Sequence, residues 1–187
     1  MRLYDHQTKA GNAGDVVKHP ALMAVLKGLL AEHEGPFRYA DAFAGRWESI
    51  LLEGAGWADG IGVFIARWHG ANPDVQSWHR QWRAAAGARY PGSTQLAERL
   101  LAKHGRYQIR AFEIVDAYAA SLREGLGEAA VVTRPATPSD WTDWRPDLLF
   151  IDPPGVRSVR RSDDPLLEDL LDLAEGLPNV LLWLPLA

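Results

Sequence analysis

Asp152, Pro153 and Pro154 stand directly after the apolar run of residues 148–151, and that order of residue types suits one kind of chemistry. An exocyclic amine on a nucleobase is a poor nucleophile, because its lone pair is delocalised into the ring. A carboxylate at Asp152 and the backbone carbonyl of Pro153 accept its two N–H bonds and turn the lone pair towards a methyl sulfonium held in line. Two prolines fix the backbone so that the carbonyl faces the site. Taken alone, the same tripeptide also reads as a strand that ends in a Pro-Pro turn.

Two more acids close strand-like runs: Asp41 after residues 37–40, and Glu113 near the end of residues 107–114. In open parallel sheets ligands bind at the carboxyl ends of strands, near the point where strand order reverses. A carboxylate ending the second strand accepts hydrogen bonds from both hydroxyls of a ribose, and Glu113 is the candidate for that role. Capping the next helix is the alternative reading. The loop DAFAGRWE, residues 41–48, holds one glycine where nucleotide-binding loops carry two or three. Walker-type lysine loops, HExxH, GxSxG and CxxC are all absent, and the six histidines follow no metal-ligand spacing. No metal is expected.

A parallel α/β arrangement must position these residues. Val16, Val17, Leu22, Met23, Val25, Leu26, Leu29 and Leu30 recur at helical spacing over residues 15–33, with Pro20 predicting a start near His19 or a bend there. A strand from Phe37 leads into a small-residue turn ending at Gly45. Residues 56–92, with Trp57, Trp68, Trp78 and Trp82 among Gly, His and Arg, read as a small helical insertion. Pro91 and Gly92 then form a turn, and Ser93 or Thr94 is able to cap a helix carrying Leu96, Leu100 and Leu101. Strand-like runs at 107–114, 130–133 and 148–151, with a helix between the first two, argue a parallel sheet. A helix over residues 165–175 precedes the apolar run of 179–187, which reads as a last strand.

The 187 residues, 47% hydrophobic and 24% charged, suit one domain with its own core. The N-terminus carries no apolar leader and no run is long enough to span a membrane, so a soluble, cytoplasmic protein is expected. The absence of cysteine excludes disulfides and thiolate zinc sites. A formal net charge of −4 means that any contact with nucleic acid is local. Two basic clusters offer one: His79, Arg80, Arg83 and Arg89, and Arg157, Arg160 and Arg161. Each also reads as an ordinary solvated face.

Residues 4–19, YDHQTKAGNAGDVVKH, closely resemble the opening of the bacterial 23S ribosomal RNA adenine-N6 methyltransferases of the J type. The resemblance continues in order through PFRYADAFAG, YPGS, the Phe-Glu pair at 112–113, IDPP and LWLP. It implies a class I, Rossmann-like methyltransferase sheet using S-adenosylmethionine, with a small helical insertion after the first strand. By this resemblance Asp152 is the catalytic carboxylate, flanked by Pro153 and Pro154. Tyr4 lies beside substrate or cofactor, Lys18 and His19 contact the cofactor region, and Ser93 and Glu113 help hold the nucleoside. RNA is the implied partner, with Arg157, Arg160 and Arg161 as candidate contacts.

The sequence departs from the family at several places. Gly155 stands where relatives carry an aromatic, usually Tyr, that stacks on the flipped-out base. Stacking of that kind is worth about 1–3 kcal/mol per base. Phe43 replaces a histidine in a shortened glycine loop, and for the acid after the third strand only Asp140 offers a match. Relatives continue into two further strands, so a partner protein or second copy covering the C-terminal strand is expected. Two alternatives stay open: a catalytically impaired scaffold that binds RNA or protein, and a methyltransferase for another acceptor.

Overall fold

The computed structural model describes residues 8–67, 86–156 and 165–184. Asn12 opens the first helix, α1 (Ala13–Glu32), by accepting the Asp15 N–H with its side chain at 3.0 Å. The helix runs through Pro20 without the expected late start. One intrahelical bond is lost there, but Leu22 and Leu26 are fully buried just beyond it. Burying a leucine is worth about 1.5–3 kcal/mol, so the two offset the cost of the proline.

The sheet is built from β1 (Phe37–Asp41), β4 (Tyr107–Phe112), β5 (Val131–Val132), β6 (Leu148–Ile151) and β7 (Val180–Leu182), in the order β5-β4-β1-β6-β7. Every pairing in it is parallel, and the whole is a Rossmann-like α/β fold. From β1 the chain adds strands first on one side, β4 and β5, and then on the other, β6 and β7. Strand order therefore reverses between β1 and β6.

Both faces are covered, which is why β6 is an unbroken apolar run. One face packs Phe37, Tyr39, Leu148 and Phe150 against α1 and α3 (Ser93–His104). The other packs Ala40, Phe112, Leu149 and Ile151 against Trp141, Trp144 and the leucines of α5 (Leu167–Ala174). The helix α4 (Asp116–Leu126) joins β4 to β5.

A separate antiparallel pair, β2 (Glu48–Ile50) and β3 (Arg89–Pro91), brackets residues 51–88. Pro91, expected in a turn, is the last residue of β3. Of the expected insertion over 56–92, a π-helical turn (Ala58–Gly62), α2 (Val63–Arg67) and residues 86–92 are described. Residues 68–85, with Trp68, Trp78, Trp82, His79, Arg80 and Arg83, lie outside the described residues.

Candidate active site at the carboxyl edge of the sheet

Asp152 follows the last residue of β6, beside the reversal of strand order, and its side chain meets α1. The Lys18 ammonium lies 2.5 Å from Asp152 Oδ2 and 2.9 Å from Asp15 Oδ1. Burial by itself disfavours the Lys18 ammonium, but the two carboxylates outweigh it and hold its pKa above the ordinary value. Burial pushes Asp152 above the usual carboxylate range, with Lys18 pulling it back. Of the prolines, Pro153 is buried and Pro154 is exposed.

His19 sits one residue on, buried, with Nδ1 3.1 Å from the Tyr90 hydroxyl and its ring stacked on that tyrosine. Asp41, at the end of β1, is fully buried. Its Oδ2 accepts hydroxyl protons from Ser93 at 2.7 Å, Thr94 at 3.0 Å and Tyr39 at 3.3 Å. Its Oδ1 accepts the Phe43 N–H at 3.3 Å. Burial raises the Asp41 pKa against these hydrogen bonds, which favour the ionised form. Ser93 and Thr94 thus bind an acid on the neighbouring strand end, and Gly92 takes the N-cap position expected of them.

Glu113, beyond β4, accepts the Gly45 N–H at 2.9 Å on one oxygen and the Val115 N–H at 2.7 Å on the other. Burial raises its pKa and these backbone amides oppose the rise. Gly45 has φ +65, and a Cβ there would meet nothing within 4 Å. The loop after β1 is therefore tied to Glu113 and leaves open space above its glycine.

Asp152, Lys18, Ser93 and Glu113, picked out in the sequence, all fall at the β1, β4 and β6 ends or in direct contact with a residue there. Tyr4, Arg157, Arg160 and Arg161 lie outside the described residues. Asp140 does local work: it closes a capping box with Thr137 in a 3-10 turn and pairs with Arg134. Sequence reasoning missed Asp15, Thr94 and Tyr90. The spacing of Asp15 and Lys18, one turn apart on a helix, was the signal for the first; nothing in the local sequence joins Tyr90 to His19.

A cationic sulfonium nucleoside suits these residues. Its ribose hydroxyls need acceptors, and the Glu113 carboxylate, which takes backbone N–H bonds from Gly45, Val115 and Ile114, has about four lone-pair sites in all. Its positive charge suits the carboxylates of Glu113 and Asp152 at this edge, beside the ammonium of Lys18. Among the described residues no group of three or more His, Cys, Asp or Glu could hold a metal ion. No described helix is long and apolar enough to cross a membrane.

No family model matches the sequence. No curated protein matches it either. Among solved structures, the chain is similar to protein LPL1258 from Legionella pneumophila strain Philadelphia 1, which carries the family-model label DUF519. The TM-score is 0.62 at 21% identity, over 81% of this chain and 59% of that one. The two chains share a fold. This chain spans less than two thirds of its neighbour's length.

Proposed function

We propose that the chain is an S-adenosylmethionine-dependent methyltransferase acting on the exocyclic amine of an adenine in RNA, with 23S ribosomal RNA as the substrate by resemblance. The observation that carries this reading is Asp152 at the reversal of strand order, gripped by Lys18 through Oδ2. Its Oδ1 and the Pro153 carbonyl accept the two N–H bonds of the target amine. Glu113 accepts from the ribose hydroxyls of the cofactor, with Ser93, Lys18 and His19 shaping the remainder of its pocket. The cofactor, when bound, supplies an electrophilic methyl group. Tyr4 completes the substrate side, and Arg157, Arg160 and Arg161 contact the RNA backbone. A partner protein or a second copy covers the outer edge of β7.

Gly155 and the single glycine of the loop after β1 favour a second reading. Without a ring at 155, and with fewer glycines for close approach of a cofactor, the scaffold would bind RNA or protein and not catalyse.

Calorimetric titration with S-adenosylmethionine and S-adenosylhomocysteine decides first. Micromolar binding supports the enzyme; no binding to a folded chain favours the second reading. Methyl transfer to ribosomal RNA fragments follows, and Asp152→Ala is expected to abolish it with the circular dichroism spectrum unchanged. Undiminished turnover in that variant would overturn the mechanism.

A further inference from the structure

Lys18 ends a flexible four-carbon stem, and nothing intrinsic to it fixes where the ammonium sits. Asp15 fixes it, three residues earlier on the same helix and 2.9 Å away. Asp15 is itself held from several directions. It is only 1% exposed. It lies in the first turn of α1, where the helix dipole favours a negative charge. Its Oδ2 accepts the Gly11 N–H at 2.7 Å. Gly11 is pinned in turn: its φ is +73, and its carbonyl accepts the Ile61 N–H at 2.9 Å.

A line of contacts therefore runs from Ile61 in the π-helical turn through Gly11, Asp15 and Lys18 to Asp152. We infer that Asp15 is a positioning residue for Asp152, acting on it through the shared Lys18 ammonium. The inference rests on the reading of Asp152 as the acceptor of the target amine. An ammonium divided between two carboxylates pins Oδ2 of Asp152 without neutralising it fully, so Oδ1 stays a strong acceptor. With Asp15 uncharged, Lys18 turns wholly to Asp152.

The charged and titratable groups facing Asp152 are Lys18 and Asp15 from α1 and Asp41 and Tyr39 from β1. Asp15 raises Asp152 by repulsion, while Lys18 lowers it. Removing the Asp15 charge should thus lower the Asp152 titration midpoint twice over, directly and by freeing Lys18.

The test is a pH titration of the Asp152 carboxyl carbon by 13C NMR in the full chain, with Asp15→Asn, Asp15→Glu, Lys18→Met and the Asp15→Asn/Lys18→Met double variant. Asp15→Asn keeps an acceptor for Gly11, loses the charge and turns an amide NH2 towards Lys18 in place of Oδ1. We expect it to move the midpoint to lower pH, Asp15→Glu to restore it, and the effect of Asp15→Asn to shrink markedly in the Lys18→Met background. No shift, or an equal shift in both backgrounds, overturns the inference, because the coupling would then bypass Lys18. Should Asp15→Asn not fold, Lys18→Met carries the test: a midpoint that fails to rise shows that Lys18 does not act on Asp152. Calorimetry with S-adenosylhomocysteine on the same wild-type sample separates the two readings. Coupling without cofactor binding upholds the positioning role and removes the cofactor reading.

Discussion

Asp41 takes four hydrogen bonds while fully buried, so its charge is held by named partners and not by water. Asp41→Asn exchanges one acceptor oxygen for an NH2 that faces either the three hydroxyls or the Phe43 N–H, and we expect a loss of about 2–4 kcal/mol in urea unfolding. Burial raises Asp41, Glu113 and Asp152 above their unfolded values. The folded chain therefore binds protons more tightly at these sites than the unfolded one. Their contribution to stability is full below the unfolded pKa and is lost as pH rises through the folded pKa. From about pH 4 upwards the free energy of unfolding should fall through these groups, and Glu113→Gln should flatten the fall. Urea midpoints measured between pH 4 and 8 check this; an identical slope in wild type and variant refutes it. If the proposed site stacks an adenine, Gly155→Tyr should tighten binding of adenine-containing RNA by about tenfold or more in filter binding, and unchanged affinity would count against a stacking position at 155.

At the scale of elements, the π-helical turn of residues 58–62 docks on the turn before α1 through two glycines, Gly60 and Gly11. A Cβ on Gly60 would lie 2.1 Å from the Gly11 carbonyl oxygen and 2.3 Å from the Asn12 carbonyl carbon. Both are backbone atoms, so nothing flexible yields. Gly60→Ala should cost about 1–3 kcal/mol, lowering Tm by about 2–4 °C for each kcal/mol. The apolar run of β6 and the recurring leucines of α1 were legible in the sequence, because a strand covered on both faces and a helix packed on a sheet record their burial in residue type. The fate of Pro20 was not legible. Local propensity breaks a helix there, and only the packing of Leu22 and Leu26 against the sheet overrides it. Ser93 and Thr94 escape a local reading for the same reason: their hydroxyls satisfy a tertiary acceptor, Asp41, that lies 52 and 53 residues away in the chain.

For the whole molecule, a formal net charge of −4 leaves RNA binding to local cations. If Arg157, Arg160 and Arg161 each neutralise a phosphate, replacing all three with Gln should lower the slope of log affinity against log salt by about 0.7 per phosphate on a single strand. Filter binding at several salt concentrations reads that slope, and an unchanged slope removes these residues from the interface. At the opposite end of the sheet from β5, β7 pairs only with β6 among the described residues, and Leu167, Leu171 and Leu184 are exposed. If a second copy covers the outer edge of β7, sedimentation equilibrium should show a dimer, and a monomer at every concentration would refute it.

The sequence by itself determined the α/β class, the three acids at strand ends and the Asp-Pro-Pro tripeptide, because apolar runs and proline stereochemistry are local. Tertiary structure alone decided which groups meet. Lys18 and Asp152 are 134 residues apart, and Glu113 and Gly45 are 68 apart. Their contacts exist because β4 and β6 flank β1 in parallel and bring their carboxyl ends to one edge. Strand order is set by how the whole core closes, and no short stretch of sequence contains it.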